Sequence, residues 1–340
     1  MLTVSLAIIL GLIFLVWSAD QFVEGAASLA TNANVSKFVI GLTVVAFGTS
    51  APEILVSITA AMSGNAAIAI GNAIGSNIAN IGLVLGATAL ITPLVISKEN
   101  LKQDFPVLVF VTVACGLLLF DYDLDVVDGV ILGVIFILYI VFLAKIKLKT
   151  TDKQSDFTDQ NINQDVDQEP DQNALASDSD EPPASNVKAL GQTFIGLIVL
   201  IISSKALVWG ASELALEFGI SKTLIGLTLV SVGTSLPELA AAIASALKKH
   251  TELAIGNVIG SNIFNLLTVL PLPGLLAPGA ISENIFDRDY FVMLFLTLLV
   301  IALVFMGKSH KITAIKGIML LTIYFGYYAV LYQTELLPST

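Results

Sequence analysis

Two glutamates, Glu53 and Glu238, lie inside apolar stretches, and each ends the same motif, Gly-Thr-Ser-x-Pro-Glu. A carboxylate in the middle of a membrane span is costly, so such a residue is by default functional and faces a cavity. The threonine and serine precede the glutamate by four and three residues, so all three side chains can share one helix face. Each motif therefore combines a carboxylate with two hydroxyls, a set that can bind a cation. The hydroxyl residues are Thr49, Ser50, Thr234 and Ser235.

The proline before each glutamate predicts released backbone carbonyls at the same place. Proline lacks an N–H, and its ring clashes with the carbonyl four residues earlier. Pro52 and Pro237 are therefore expected to release the carbonyls that precede them, with Ala46 and Ser231 as candidates. In a membrane such groups must find a partner, and a cation can be that partner. The alternative for the two glutamates is a structural role, as a buried pair or in pairing with Lys205.

A second motif, Gly-Asn-x-x-Gly-Ser-Asn-x-x-Asn, occupies residues 71–80 and 256–265. Further candidate ligands in it are Ser76, Asn80, Ser261 and Asn265. Interhelical hydrogen bonding is an equal alternative for the other asparagines, Asn72, Asn77, Asn257 and Asn262. The glycines of the motif let helix backbones approach closely. No thiol or histidine accompanies either motif, and ligation by oxygen alone suits hard cations such as Ca²⁺ and disfavours soft metals.

The two motifs form an internal repeat, because residues 41–80 and 226–265 align without gaps and are identical at 21 of 40 positions. Each half of the chain contains five apolar runs, an odd number, so the second copy enters the membrane inverted relative to the first. Inverted repeats are typical of secondary transporters, whose ion sites lie near the midplane where the repeats meet, often at interrupted helices.

The composition excludes a water-soluble protein. Hydrophobic residues make up 56% of the 340 residues and charged residues 13%, and the mean hydropathy is +0.88. Soluble domains have about 45–50% apolar and about 25% charged residues. The net charge of −11 argues against nucleic acid as a partner, because phosphate binding needs a basic surface. The single cysteine, Cys115, excludes a disulfide framework within the chain.

A bilayer core of ~30 Å needs ~20 apolar residues per helix. About ten runs qualify: 2–23, 38–62, 66–90, 105–120, 126–147, 190–216, 222–247, 251–275, 289–306 and 312–333. The predicted fold is an all-α polytopic membrane protein with ten transmembrane helices in two inverted five-helix repeats, 1–149 and 189–340. Between them, residues 150–188 hold ten acids, two lysines and three prolines, which predicts an acidic disordered loop.

Lysine and arginine collect in cytoplasmic loops. If the N-terminus is outside, thirteen of the sixteen basic residues fall in cytoplasmic connections. Only Lys222 and Arg288 fall in external connections, and Lys205 lies within a span. Both termini are therefore predicted outside the cell membrane, with the loop 150–188 in the cytoplasm.

The two motifs, present twice and in order, resemble the α-repeats of the sodium/calcium exchanger (cation/Ca²⁺ antiporter) superfamily, and the short loop resembles that of its prokaryotic members. The resemblance covers both halves. It implies exchange of cytoplasmic Ca²⁺ for external Na⁺ by alternating access, with the first and sixth spans sliding as a gating pair. It also implies that Glu53 and Glu238 bind both ions. Further ligands that it implies are the carbonyls of Thr49 and Thr234 for Ca²⁺, the hydroxyls of Ser50, Ser76, Ser235 and Ser261 for Na⁺, and Asn80. At Asn265 some members, especially K⁺-dependent ones, carry aspartate, so this amide argues against K⁺ dependence.

The sequence therefore predicts a secondary active antiporter that exchanges Ca²⁺ for Na⁺, without a cofactor and without enzymatic activity. Its partners are the two ions and the lipid bilayer. An H⁺/Ca²⁺ antiporter is the nearest alternative, because carboxylates also bind protons. A cation channel is disfavoured by the inverted repeat with broken helices. A membrane-embedded hydrolase is disfavoured because no histidine or lysine base is repeated beside the carboxylates.

Overall fold

The computed structural model describes residues 2–160, 183–219, 231–306 and 310–336, and most of these are helical. We number the helices in chain order: α1 Leu2–Asn32, α2 Lys37–Met62, α3 Ala66–Ile91, α4 Lys98–Asp121, α5 Val126–Gln160, α6 Asn186–Glu217, α7 Ser231–Thr234 with Leu236–Leu247, α8 Thr251–Leu276, α9 Ile285–Phe305 and α10 Ala314–Leu336. Within the described residues, all of them except α7 are long and apolar enough to span a membrane. Residues 220–230, which precede α7 and include the start of the second repeat, lie outside the described part. The prediction of an all-α polytopic membrane protein is confirmed.

Several helix boundaries differ from the predicted ones; α1, for example, ends at Asn32 and not at residue 23. Helix α4 begins at Lys98, before the predicted residue 105, because the Ser97 hydroxyl accepts the N–H of Asn100 and caps a polar first turn. Helix α5 continues to Gln160, into the segment predicted as the acidic loop. Residues 161–182 of that segment lie outside the described residues.

Two short antiparallel strand pairs connect loops at the helix ends. Strand β1 (Leu94–Val95) pairs with β4 (Lys311–Ile312), and β2 (Asp123–Leu124) pairs with β3 (Gly279–Ala280). Because β1 precedes α4 and β2 follows it, the two pairs lie at opposite ends of the helix bundle.

The helices that carry the repeated motifs are not regular. In α2 the α-helical segments Lys37–Ile40, Ala46–Thr49 and Ala51–Met62 are separated by a π-helical turn, Gly41–Val45, and by a break at Ser50. In α3 a π-helical turn, Asn80–Leu85, lies between Ala66–Ala79 and Gly86–Ile91. In α8 the corresponding turn, Asn265–Val269, lies between Thr251–Phe264 and Pro271–Leu276. A further π-helical turn, Ile285–Tyr290, begins α9.

Helices α1 and α6 form the most extensive helix contact in the described part of the chain. They run antiparallel, because Gly11 faces Leu207 while Gly25 faces Thr193. A Cβ on Gly25 would lie 2.5 Å from the backbone nitrogen of Thr193, so glycine is needed for this approach. The pair is joined to the α7–α8 loop at one end. Lys248 Nζ lies 2.9 Å from a carboxylate oxygen of Asp20 and 2.9 Å from one of Glu24, both on α1.

Helix α8 is the centre of the bundle, since residues 253–267 are all buried. Its backbone lies directly against α2. A Cβ on Gly256 would collide with the carbonyl oxygen of Phe38, and one on Gly41 would lie 2.5 Å from the carbonyl oxygen of Leu253. Gly256 therefore lets α2 and α8, which carry motifs from opposite repeats, approach closely, as expected for a packing role.

We expect Gly256→Ala to destabilise the protein by about 1–3 kcal/mol, because the methyl group must displace backbone atoms of α2. The matched control is Gly71→Ala at the equivalent position of the first repeat, where an added Cβ meets no atom of the described residues within 4 Å. Thermal unfolding of the detergent-purified variants measures the difference. Equal melting temperatures for the two variants would contradict this account of the α2–α8 contact.

Candidate cation site

The two glutamates follow the helix breaks directly. Helix α2 is interrupted at Ser50 and α7 at Ser235, and the two serines have nearly the same backbone angles, φ −80° with ψ 3° and φ −86° with ψ 5°. In each case proline and then glutamate occupy the first turn of the new helical segment. A proline fits the first turn of the new segment, because an N–H group there has no partner within that segment. The carbonyl four residues earlier, in the preceding segment, is left without this donor.

Both carboxylates are completely buried, and most of their oxygens lack a hydrogen-bond partner. Glu53 and Glu238 are each 0% exposed. Among the described residues, neither oxygen of Glu53 is hydrogen-bonded, and Glu238 has a partner for Oε1 only. The two carboxylates are close enough for their charges to interact. Buried polar atoms are normally hydrogen-bonded, so these oxygens are suited to a ligand that the protein itself does not supply.

Four of the predicted ligand residues, Thr49, Ser50, Ser76 and Thr234, lie beside these carboxylates. The Ser50 hydroxyl donates to Glu238 Oε1 at 3.3 Å and so crosses from the first repeat to the second. Ser76 and Thr234 face Glu53 from α3 and α7. Four of the other candidate ligand oxygens are buried and without a partner in the described part of the chain: Ser235 Oγ, Ser261 Oγ, Asn80 Oδ1 and Asn265 Oδ1. The carboxylates and the hydroxyls beside them therefore come from α2, α3 and α7, and the remaining candidates add α8.

The side chain of Thr49 is already engaged within the protein. Its hydroxyl lies 3.0 Å from the carbonyl oxygen of Val45 and 3.1 Å from Asn257 Oδ1. Thr49 is fully buried at the end of the first half of α2. The hydroxyl proton is therefore used within the protein, and the backbone carbonyl of Thr49 stays the predicted ligand atom.

Two asparagines outside the predicted ligand set fix the backbones of the glutamates. Asn72 Nδ2 donates to the carbonyl of Glu53 at 3.3 Å, and Asn257 Nδ2 donates to the carbonyl of Glu238 at 3.5 Å. The two hydrogen bonds occupy equivalent positions of the repeat. They attach each broken helix to the helix that follows it, which agrees with the interhelical alternative for these asparagines.

A second polar contact joins α3 to α8. Asn77 Nδ2 donates to the carbonyl of Asn262 at 3.2 Å, and Asn265 Nδ2 donates to Asn77 Oδ1 at 3.1 Å. The amide nitrogen of Asn265 is thereby held by the other repeat while its Oδ1 stays unpartnered. This contact therefore orients one of the candidate ligand oxygens.

Two of the four π-helical turns in the described residues begin at candidate ligands, and neither turn was expected from the sequence. Asn80 starts the turn in α3, and Asn265 starts the turn in α8. Turns of this kind are rare and occur frequently at functional sites, because the wider turn changes the direction of side chains and frees backbone groups. Their equivalent positions in the two repeats are the signal that could have drawn attention to them.

The prediction of a released carbonyl is wrong for Ala46, whose oxygen accepts the N–H of Ser50 at 3.0 Å. The reason is that Pro52 removes the donor for the carbonyl four residues earlier, which is that of Gly48. In the second repeat the N–H of Ser235 donates to the carbonyl of Val232 at 3.1 Å. This hydrogen bond spans three residues, one fewer than the equivalent bond from Ser50 to Ala46. A role for the Ser231 carbonyl stays a prediction.

Lys205 does not pair with the glutamates. It lies on an exposed face of α6, and no ion pair joins it to Glu53 or Glu238 in the described part of the chain. The alternative in which a lysine neutralises the buried carboxylates therefore has no support in the geometry.

The profile of the family described as sodium/calcium exchanger protein matches residues 3–145 and 188–333. The chain belongs to this family. The putative antiporter CaxA of Alkalimonas amylolytica is 41% identical to it, over 98% of this chain and 100% of the relative. The sodium/calcium exchanger MaX1 of Methanosarcina acetivorans is 35% identical, over 98% of this chain and 99% of the relative.

Solved structures of the sodium-calcium exchanger NCX_Mj have the same fold. One, soaked with 2.5 mM Na⁺ and 0.1 mM Ca²⁺, matches with a TM-score of 0.78 at 35% identity, over 97% of this chain and 99% of that one. Family and fold together confirm the prediction of an inverted-repeat membrane antiporter with ten transmembrane helices, and they show that the protein is a transporter and not an enzyme.

We expect Ser50→Ala to raise the half-saturating Na⁺ concentration for ion exchange by about tenfold, because it removes a candidate ligand oxygen and a hydrogen bond to a carboxylate. The matched control is Ser57→Ala on the same helix. Ser57 is equally buried, but its hydroxyl donates to the carbonyl of Val269 at 3.1 Å and not to a glutamate. Ion-concentration series in proteoliposomes give both values, and equal shifts in the two variants would count against the assignment of Ser50.

Proposed function

We propose that the protein exchanges Ca²⁺ for Na⁺ across the cell membrane and that both ions use the buried oxygen cluster between the two repeats. One observation carries the proposal. Three of the four carboxylate oxygens of Glu53 and Glu238 lack a hydrogen-bond partner among the described residues, and hydroxyl side chains of Thr49, Ser50, Ser76 and Thr234 lie beside the two carboxylates. A buried carboxylate without a partner costs several kcal/mol, and a bound cation offsets that cost.

The chemistry of the donors supports Ca²⁺ as the divalent ion. Ca²⁺ takes 6–8 oxygen ligands at about 2.3–2.6 Å and accepts carboxylates, amide oxygens and backbone carbonyls together. The cluster offers all three types, and its two carboxylates balance one Ca²⁺. Glu53 and Glu238 are the proposed shared ligands, with Thr49 and Thr234 as carbonyl donors and Asn80 and Asn265 as amide donors.

Na⁺ is the proposed counter-ion because serine hydroxyls accompany each carboxylate. The proposed Na⁺ oxygens are those of Ser50, Ser76, Ser235 and Ser261. Since several Na⁺ ions and one Ca²⁺ need the same glutamates, occupancy by one kind of ion excludes the other. An empty site leaves two uncompensated buried charges, so the protein is expected to change conformation mainly when loaded, which couples the two fluxes.

The direction of the chain in the membrane follows from its basic residues. We infer that both termini lie outside and that residues 150–188 are cytoplasmic. Lys98 and Lys248 then lie at the cytoplasmic end of the bundle, while the pair of strands β2 and β3 lies at the external end. The positive-inside rule supports this direction.

A proton is the alternative counter-ion, because both glutamates can also be neutralised by protonation. The observation that favours it is the same set of unpartnered carboxylate oxygens. The hydroxyls around them favour Na⁺, since a proton needs no coordination shell. The transport assay below separates the two.

We expect purified protein in Na⁺-loaded liposomes to take up ⁴⁵Ca²⁺ when it is diluted into Na⁺-free buffer. Glu53→Gln combined with Glu238→Gln is expected to abolish uptake, because the amides remove both charges that Ca²⁺ needs. Glu252→Gln, which changes an exposed acid at the start of α8, is the control and is expected to retain uptake. Uptake that persists in the double variant would refute the site. Uptake driven by a pH gradient alone, without Na⁺, would establish the proton alternative.

We expect a cysteine placed at Asp121 to react with a membrane-impermeant maleimide in intact cells, and one placed at Lys98 to react only after permeabilisation. Both positions are exposed, at opposite ends of α4. The native Cys115 is 0% exposed and gives little background. The reverse pattern of labelling would show that the inferred orientation is inverted.

A further inference from the structure

A buried serine on α6 is hydrogen-bonded to the broken helix of the second repeat. The hydroxyl of Ser204 donates to the carbonyl oxygen of Gly233 at 3.0 Å, and Ser204 is 3% exposed. Gly233 immediately precedes Thr234 and lies two residues before the break at Ser235. The hydrogen bond therefore acts on the backbone that carries two candidate ligands.

The carbonyl of Gly233 needs an external donor because of the sequence that follows it. In an unbroken α-helix its partner would be the N–H of residue 237, but residue 237 is proline and has no N–H. A buried carbonyl without a donor is costly, above all inside a membrane. Ser204 supplies the hydrogen bond that Pro237 cannot supply.

Helix α6 lies against the breaks of both repeats. A Cβ on Gly48 would lie 2.9 Å from the side chain of Leu197, and one on Gly233 would collide with the side chain of Val208. Ser204 is located between these two apolar contacts on α6. Any movement of α6 along the bundle therefore acts on this hydrogen bond and on the backbone of the site together.

The hydrogen bond from Ser204 to Gly233 has no equivalent in the first repeat. Ser18 on α1 and Ser203 on α6 are equivalent positions, and each donates to a carbonyl in its own helix, that of Leu15 at 3.2 Å and that of Leu200 at 3.1 Å. The residue equivalent to Ser204 is Ala19, which has no hydroxyl. The duplicated serines thus serve their own helices, whereas Ser204 alone of these residues reaches the site backbone.

We propose that Ser204 is a positioning residue for the cation site: its hydroxyl fixes the peptide between Gly233 and Thr234, so that the carbonyl of Thr234 and the hydroxyl of Ser235 are held toward the carboxylates. The inference rests on the proposed function, because it assigns Ser204 a role in that same site. Ser204 does not touch the ion in this arrangement. It lowers the cost of binding by ordering the ligand backbone before the ion arrives.

The test compares three variants in the proteoliposome assay. Ser204→Ala is expected to raise the KM for Ca²⁺ about fivefold, the effect of one net hydrogen bond, and to change the maximal rate less than twofold. Ser203→Ala, which removes a neighbouring hydroxyl of similar burial, is expected to leave KM within twofold of the parent. Ser204→Thr keeps the hydroxyl and is expected to restore the parental KM.

A second measurement does not depend on transport. Hydrogen–deuterium exchange of the backbone amides between residues 234 and 239 is expected to be faster in Ser204→Ala than in Ser203→Ala, in the purified protein without Ca²⁺. Equal KM values and equal exchange for these two variants, or a Ser204→Thr variant that behaves like Ser204→Ala, would overturn the role of Ser204. If the parent protein exchanges no Ca²⁺ under any gradient, the proposed function fails instead, and the amide measurement still decides whether Ser204 orders this backbone.

Discussion

Two carboxylates buried in an apolar bundle, with a hydrogen-bond partner for only one of their four oxygens among the described residues, are the constraint on which the rest of the structure depends. A membrane interior has no water to solvate Glu53 and Glu238, so their position is tolerable only if a cation or a proton neutralises them. The breaks at Ser50 and Ser235 lie three residues before the two glutamates, and four hydroxyl side chains lie beside the carboxylates. The apolar bulk of the chain encloses this cluster, and the low fraction of charged residues makes each of these two charges decisive.

Duplication explains why the site is assembled with so few residue types. Asn72 and Asn257 hold the two glutamate backbones in equivalent ways, and Asn80 and Asn265 begin equivalent π-helical turns. The repeats are nevertheless not interchangeable. The N–H of Ser50 donates to the carbonyl four residues earlier, whereas the N–H of Ser235 donates to the carbonyl three residues earlier. Ser204 on α6 donates to the second break, whereas the equivalent residue of the first repeat, Ala19, has no hydroxyl. Such differences allow the two halves of one site to respond unequally when the bundle changes conformation.

The sequence predicted the ten helices, their inverted arrangement and the convergence of the repeated motifs, because hydropathy and a gapless repeat are properties of the chain alone. It did not predict the start of α4 at Lys98, since a polar first turn capped by Ser97 carries no hydropathy signal. The expectation of a released carbonyl at Ala46 is wrong, because Pro52 removes the donor only for the carbonyl of Gly48. The hydrogen bonds of the neighbouring backbone are set by tertiary packing. The π-helical turns and the Ser204 contact depend on how helices distant in sequence meet, so propensity could not reveal them.

The most direct test of the account is equilibrium binding of ⁴⁵Ca²⁺ to the purified protein, measured by dialysis at increasing Na⁺ concentration. The account predicts that Na⁺ displaces Ca²⁺ completely, because both ions need the oxygens of Glu53 and Glu238. It also predicts that replacing both glutamates with glutamine removes this binding. Ca²⁺ that stays bound at saturating Na⁺, or that binds equally well to the doubly substituted protein, would contradict the claim that one buried cluster serves both ions.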